Sequence, residues 1–285
     1  CKKLIKEAKE GGADVVKFQC FSPEKYISVE EKKYSTIKKF YFNKNKFDEL
    51  IKYCKKIKIK YLFTSVSHDW VDYVNKKSDT IKIASGDLNF NFLLKLITKN
   101  NFKIILSTGT ADVKEIKNAL KIIKTTYKKN LRNKVVLMHC VSMYPTKDKD
   151  ANIQSVKYLI DKFKLTTGYS NHVVGINACL TSICMGARVI EFHFTDNKKR
   201  KFRDHQLSLD KADLKKLISI GNNFNLLIGR YEKKIDPNLK IIKKNLFKGI
   251  IASKNLYKDQ KIKNDDLTFA RPAIFFHANS IKNVL

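Results

Sequence analysis

No apolar run in this sequence approaches the roughly 18 to 20 residues that a membrane-spanning helix needs, so no membrane span is expected. The opening residues, CKKLIKEAKEGG, lack the apolar core and cleavage site of a signal peptide and show helical periodicity instead, so secretion is not expected either. The six cysteines (Cys1, Cys20, Cys54, Cys140, Cys179 and Cys184) form no CxxC pair, and several lie inside apolar segments. Reduced thiols in a cytoplasmic protein are the simplest account. Arginine is scarce, six of 58 basic residues, and the lysines are spread along the whole chain. A formal charge of +31 would suit a polyanion, but fork-shaped recognition of phosphates and bases draws on arginine. Nucleic-acid binding is therefore the weaker reading, and diffuse steering of a small anionic substrate the stronger. A glycine-rich phosphate loop after the first strand is also missing, which argues against a doubly wound dinucleotide-binding sheet.

What the chain does contain is a recurring unit. Short β-branched runs, each followed by a longer helical pattern, occur at ADVVKFQ (13–19), IKYLFTS (59–65), TIKIAS (80–85), KIILSTG (103–109), KVVLMHC (134–140), TTGYS (166–170) and RVIEFHF (188–194). Seven strands alternating with helices predict an α/β fold with a parallel sheet. The chain opens within a helix that runs into a buried parallel strand, so a further strand is expected upstream. Seven plus one is the strand number of a (β/α)8 TIM barrel, here lacking its first strand. The barrel is expected over residues 1–228 and a linker over 229–245. Residues 246–285 read as short strands and turns, too few for an independent core: either a small, incomplete C-terminal domain or a segment that packs on a partner.

In a parallel barrel the reacting groups belong at the C-terminal ends of the strands. Polar residues fall there in every strand, among them Lys17, Gln19, Ser85, Ser107, His139, Ser170, His172, Glu191 and His193. His172 and His193, from adjacent strand ends, suit a shared divalent cation; a hydrogen-bonded pair of core histidines is the alternative. Lys17 points inward, toward an anionic ligand or an internal carboxylate such as Glu191. The serine hydroxyls suit phosphate oxygens or, singly, caps and turns. Metal ligation needs neutral imidazole, so affinity is expected to fall below about pH 6.5.

KEGGADVVKFQ, IKIASGD, IILSTGT, MHCVSMYPT, TGYSNHVVG, GARVIEFHFT and RDHQLSL, in this order, closely resemble the sialic acid synthase (N-acetylneuraminate synthase) family. The tail through ARP resembles the start of that family's antifreeze-like (SAF-type) C-terminal domain. The resemblance implies a phosphoenolpyruvate-dependent transferase. It would join phosphoenolpyruvate to an N-acetylmannosamine-type N-acyl hexosamine, giving a nine-carbon 2-keto acid and phosphate. A divalent metal, typically Mn2+ with Mg2+ or Co2+ as substitutes, and a domain-swapped homodimer are implied with it. Position by position, Lys17, Ser85, Ser107, Ser142 and Ser170 resemble phosphoenolpyruvate contacts, and His172 and His193 metal ligands. Gln19, Tyr144 and Asp204 resemble sugar-side contacts, with Lys17, Gln19 and Asp204 in catalytic roles. Arg271 resembles an arginine that crosses the dimer to the substrate's acyl group. Asn171 stands where an aspartate is common, and Phe202-Arg203 where many relatives have Gly-Pro, implying an altered sugar-side loop. An inactive fragment that keeps only ligand or dimer contacts, and a basic anion- or nucleic-acid-binding protein, are the competing functions.

Overall fold

The computed structural model describes residues 1–201 and 203–285; Phe202 and the side chain of Arg203, and with them the altered loop expected there, lie outside the described residues. All seven expected strands are present: β1 (Val15–Cys20), β2 (Lys60–Ser65), β3 (Thr80–Ile83), β4 (Lys103–Ser107), β5 (Val135–His139), β6 (Thr166–Asn171) and β7 (Ile190–Phe192). They form one sheet in sequential order, every adjacent pair parallel.

The side chains show that this sheet is curled. In a flat sheet β1 and β7, six strands apart, would be separated by about 29 Å at the usual ~4.8 Å spacing. Yet Lys17 of β1 and Lys82 of β3 both reach Glu191 of β7, at 3.7 and 3.2 Å. The sheet is therefore an open half-barrel whose concave face gathers residues from distant strands.

Period-two alternation decides which residues those are. Register carries the concave face from Lys17 and Gln19 through Thr64, Lys82, Ile105, Met138 and Gly168 to Ser170 and Glu191. The convex face is apolar: Phe63, Ile81, Ile83, Ile104, Leu106, Leu137 and Tyr169 are almost fully buried. Helices cover it. Phe47, on the amphipathic helix Lys44–Lys56, packs edge-on against Phe63 with ring centres 5.5 Å apart. The helix Val113–Tyr127 starts on a capping box, Asp112 accepting from the Glu115 N–H while Glu115 accepts from the Asp112 N–H.

The helical layer is continuous where the sheet is open. The first helix, Lys2–Gly11, packs against the last of this unit, Lys211–Ile228. Gly11 makes the approach possible, since a Cβ there would lie 2.8 Å from Leu214 Cδ2. Lys211 pairs with Glu10 across the same seam at 2.9 Å, and Lys3 of the first helix reaches Asp196, after β7, at 2.9 Å. Gly12, at φ 99°, takes the left-handed turn that ends the first helix and sends the chain into β1.

The chain divides into two compact units, Cys1–Gly229 and Arg230–Leu285. The second contains the helix Leu239–Leu246, beginning within the stretch read as a linker, and an antiparallel pair, β8 (Gly249–Ala252) and β9 (Leu267–Ala270). Asp266, buried in the turn just before β9, accepts from the Lys263 N–H at 2.9 Å and pairs with Lys254 at 2.7 Å. No helix among the described residues is long and apolar enough to cross a membrane.

Candidate active site

The concave face carries its polar groups at the C-terminal ends of the strands, in three clusters. The first centres on Glu191. Its Oε1 faces Lys82 Nζ at 3.2 Å, Lys17 Nζ at 3.7 Å and the Ser170 hydroxyl at 3.2 Å. Lys17 also donates to Thr64 Oγ1 at 3.3 Å. Desolvation pushes the Glu191 carboxyl upward, but the two ammonium groups and the hydroxyl outweigh it and hold it at about 2. Burial lowers the Lys17 pKa, and the carboxylate only partly restores it. Two lysines against one carboxylate leave a net positive charge in a partly desolvated place, which attracts an anion.

The second cluster is the imidazole pair. His172 follows β6 and His193 follows β7, and their ring centres lie 5.5 Å apart. His172 Nδ1 donates to the Val141 carbonyl at 2.6 Å, which fixes the tautomer and leaves Nε2 with a free lone pair. His193 Nδ1 faces Asp204 Oδ2 at 3.5 Å. Burial lowers both pKa values, that of His193 to about 4, so both rings are neutral at neutral pH. Tyr144 stacks on His172 with centres 4.1 Å apart and meets His193 edge-on at 5.8 Å.

This donor set fits a divalent cation: two neutral imidazoles on one rim, one with its second nitrogen anchored and the other with Nδ1 turned to a carboxylate. Among the described residues no group of three or more His, Cys, Asp or Glu side chains is arranged around one point. A cation here would complete its shell with water and substrate oxygens.

The third cluster joins the ends of β3, β4 and β5. Ser85 Oγ accepts the Gly109 N–H at 3.0 Å and lies 3.2 Å from Cys140 Sγ. A methyl group on Gly109 would sit 2.5 Å from Cys140 Sγ, 2.7 Å from Ser142 Oγ and 3.0 Å from Ser85 Oγ, so the three side chains converge on the space that glycine leaves. Ser107, at the end of β4, is buried, and its hydroxyl has no hydrogen-bond partner within the protein. A buried hydroxyl without a partner is costly and marks a place for a ligand oxygen.

A groove of about 1740 Å³ runs along the open side of the sheet, lined by Lys17, Gln19, Tyr144, Glu191, His193 and Asp204 among others. Gln19 is exposed there, level with Thr64 in the β1–β2 register. Arg271 belongs to the second unit, where its Nε donates to the Leu246 carbonyl at 2.6 Å. His139, by contrast, is a core residue that bonds the Ala151 carbonyl at 2.9 Å.

The NeuB family model matches residues 4–233. The chain belongs to the NeuB family. It is 35% identical to the N,N'-diacetyllegionaminic acid synthase of Campylobacter jejuni over 95% of this chain and 85% of that one. It is 28% identical to the pseudaminic acid synthase of the same species over 99% of this chain and 85% of that one. Among solved structures, the N-acetylneuraminic acid synthetase of Leptospira borgpetersenii superposes with a TM-score of 0.79 at 27% identity, covering 85% of this chain and 83% of that one.

Sequence reading of this NeuB-family chain missed Lys82, Gly109 and Cys140. Lys82 had a visible signal, since it alternates with Ile81 and Ile83 and must face away from the helices they face. The glycine and the cysteine carried none, because their role is set by a convergence of three strand ends that no local pattern encodes.

Proposed function

We propose that this protein condenses phosphoenolpyruvate with an N-acyl hexosamine of the N-acetylmannosamine type, giving a nine-carbon 2-keto acid and inorganic phosphate. The observation that carries the reading is the pairing, on one rim of a NeuB-family half-barrel, of two neutral imidazoles with a two-lysine anion seat. The names of the relatives, synthases of legionaminic, pseudaminic and N-acetylneuraminic acids, support the product class.

In this reading Lys17 and Lys82 hold the phosphate, with Ser85, Ser107, Ser142 and Ser170 supplying hydroxyl donors to its oxygens and to the carboxylate. His172 and His193 would hold a divalent cation, Mn2+ in the first instance, which when bound supplies Lewis-acid polarisation of the sugar carbonyl. Tyr144, stacked on His172, forms one wall of the sugar side. Asp204 orients His193 through Nδ1, and with Gln19 offers polar contacts to the sugar hydroxyls. The second unit is read as antifreeze-like, and Arg271 as its contribution to the acyl group across a domain-swapped dimer.

The test is phosphate release from phosphoenolpyruvate in the presence of Mn2+ and a panel of N-acyl hexosamines. Release should require the sugar and should fall by more than about 100-fold in His172→Ala and in His193→Ala, each of which removes a ligand outright. Sugar-independent release, or none with any hexosamine, would overturn the reading.

A further inference from the structure

With Ser85 as a donor to an anion, the surroundings of its hydroxyl enforce the direction of that bond. A serine oxygen has one proton to give and two lone pairs to fill. The Gly109 N–H fills one lone pair at 3.0 Å. The Ser85 carbonyl is held separately by the Thr110 hydroxyl at 2.8 Å, so the backbone of this residue is fixed as well. Cys140 Sγ stands 3.2 Å from the oxygen, in a residue that is 4% exposed.

We propose that Cys140 is a positioning residue for Ser85: its S–H fills the second lone pair of the hydroxyl, so that the single O–H proton is left to point outward to an anionic oxygen. The balance of donors favours this arrangement once an anion is present. A bond from O–H to a charged oxygen is about twice as strong as a neutral one. The serine proton therefore goes to the ligand and the thiol becomes the donor within the protein. Two donors arriving on the same oxygen also polarise its O–H bond and strengthen the outward bond. The arrangement explains the glycine at 109, whose missing methyl leaves the space that the large sulfur and the two hydroxyls share.

The inference rests on the anion-binding role of Ser85, and its test does not require turnover. Binding of inorganic phosphate and of phosphoenolpyruvate is measured by titration calorimetry on the full chain and on Cys140→Val, Cys140→Ser, Ser85→Ala and the Ser85→Ala/Cys140→Val pair. Valine keeps the volume and removes the donor, and should weaken both ligands by about 5- to 10-fold. Serine restores a donor and should stay within about 2-fold of the parent. In the Ser85→Ala background the valine change should have no further effect, because the oxygen it positions is gone. A purely structural cysteine would instead give equal losses for valine and serine, or a valine loss that persists without Ser85, and either result overturns the proposal, as does phosphate binding unchanged in Cys140→Val. If the predicted pattern appears in a protein that releases no phosphate with any sugar, the positioning role stands and the condensation reading falls. If condensation occurs and Cys140→Val is neutral, the positioning role alone falls.

Discussion

Glu191 is one carboxylate that keeps two ammonium groups tolerable in a half-enclosed site. Removing its charge leaves Lys17 and Lys82 facing each other without an anion. Glu191→Gln should therefore destabilise the protein by about 2 to 3 kcal/mol in denaturant titrations, and adding Lys82→Met should recover part of the loss by removing an unpaired charge. The sign with pH follows from a folded pKa of about 2 against an ordinary value of 4.5. The stability that Glu191 contributes is complete above pH 4.5 and is lost as pH falls toward 2, so the Gln variant should show a flatter acid limb over that window. Gly109 is the second single-residue test. Its methyl analogue would collide with Cys140 Sγ and Ser142 Oγ, so Gly109→Ala should cost about 1 to 3 kcal/mol of stability and abolish measurable phosphate binding.

At the level of elements, β6 and β7 each deliver one imidazole to the same rim, and the depth of that rim sets the acid limit of the pair. The residue types alone imply a loss of metal affinity below about pH 6.5. Burial lowers both groups from 6.5, His193 to about 4. The affinity for added Mn2+, followed by paramagnetic relaxation of water, should thus fall at lower pH than it would for two ordinary imidazoles. A loss centred at 6.5 would mean that the rings are solvated. The strands were legible in the sequence because each is a β-branched run framed by helical periodicity; β2 to β5 and β7 fall within the residues expected, and β1 and β6 run one residue further, to Cys20 and Asn171. The inward register was legible too: Lys17 and Glu191, chosen by alternation alone, do meet. What could not be read was which strand ends would touch. The approach of Lys82 on β3 to Glu191 on β7 depends on how tightly the sheet curls, a property of the whole layer. The partner of Ser85 depends on the heights of β3, β4 and β5 relative to one another.

On the scale of the whole molecule, two features act against each other. Exposed apolar side chains, Phe92, Val174, Leu226 and Leu227 among them, favour association. The net charge of +31 opposes it by mutual repulsion. Repulsion of this kind is screened over about 10 Å at 0.1 M salt and about 3 Å at 1 M. Sedimentation velocity should accordingly show larger species as salt rises, whereas an association driven by ion pairs would weaken. Burial also imposes an order in time. Ile104 and Leu106 are almost fully buried and paired to strands on both sides, so their backbone protons escape only when the layer itself opens. Deuterium should therefore reach Ile104 to Leu106 long after it reaches the exposed loops, making the lifetime of each amide a measure of its depth in the layer.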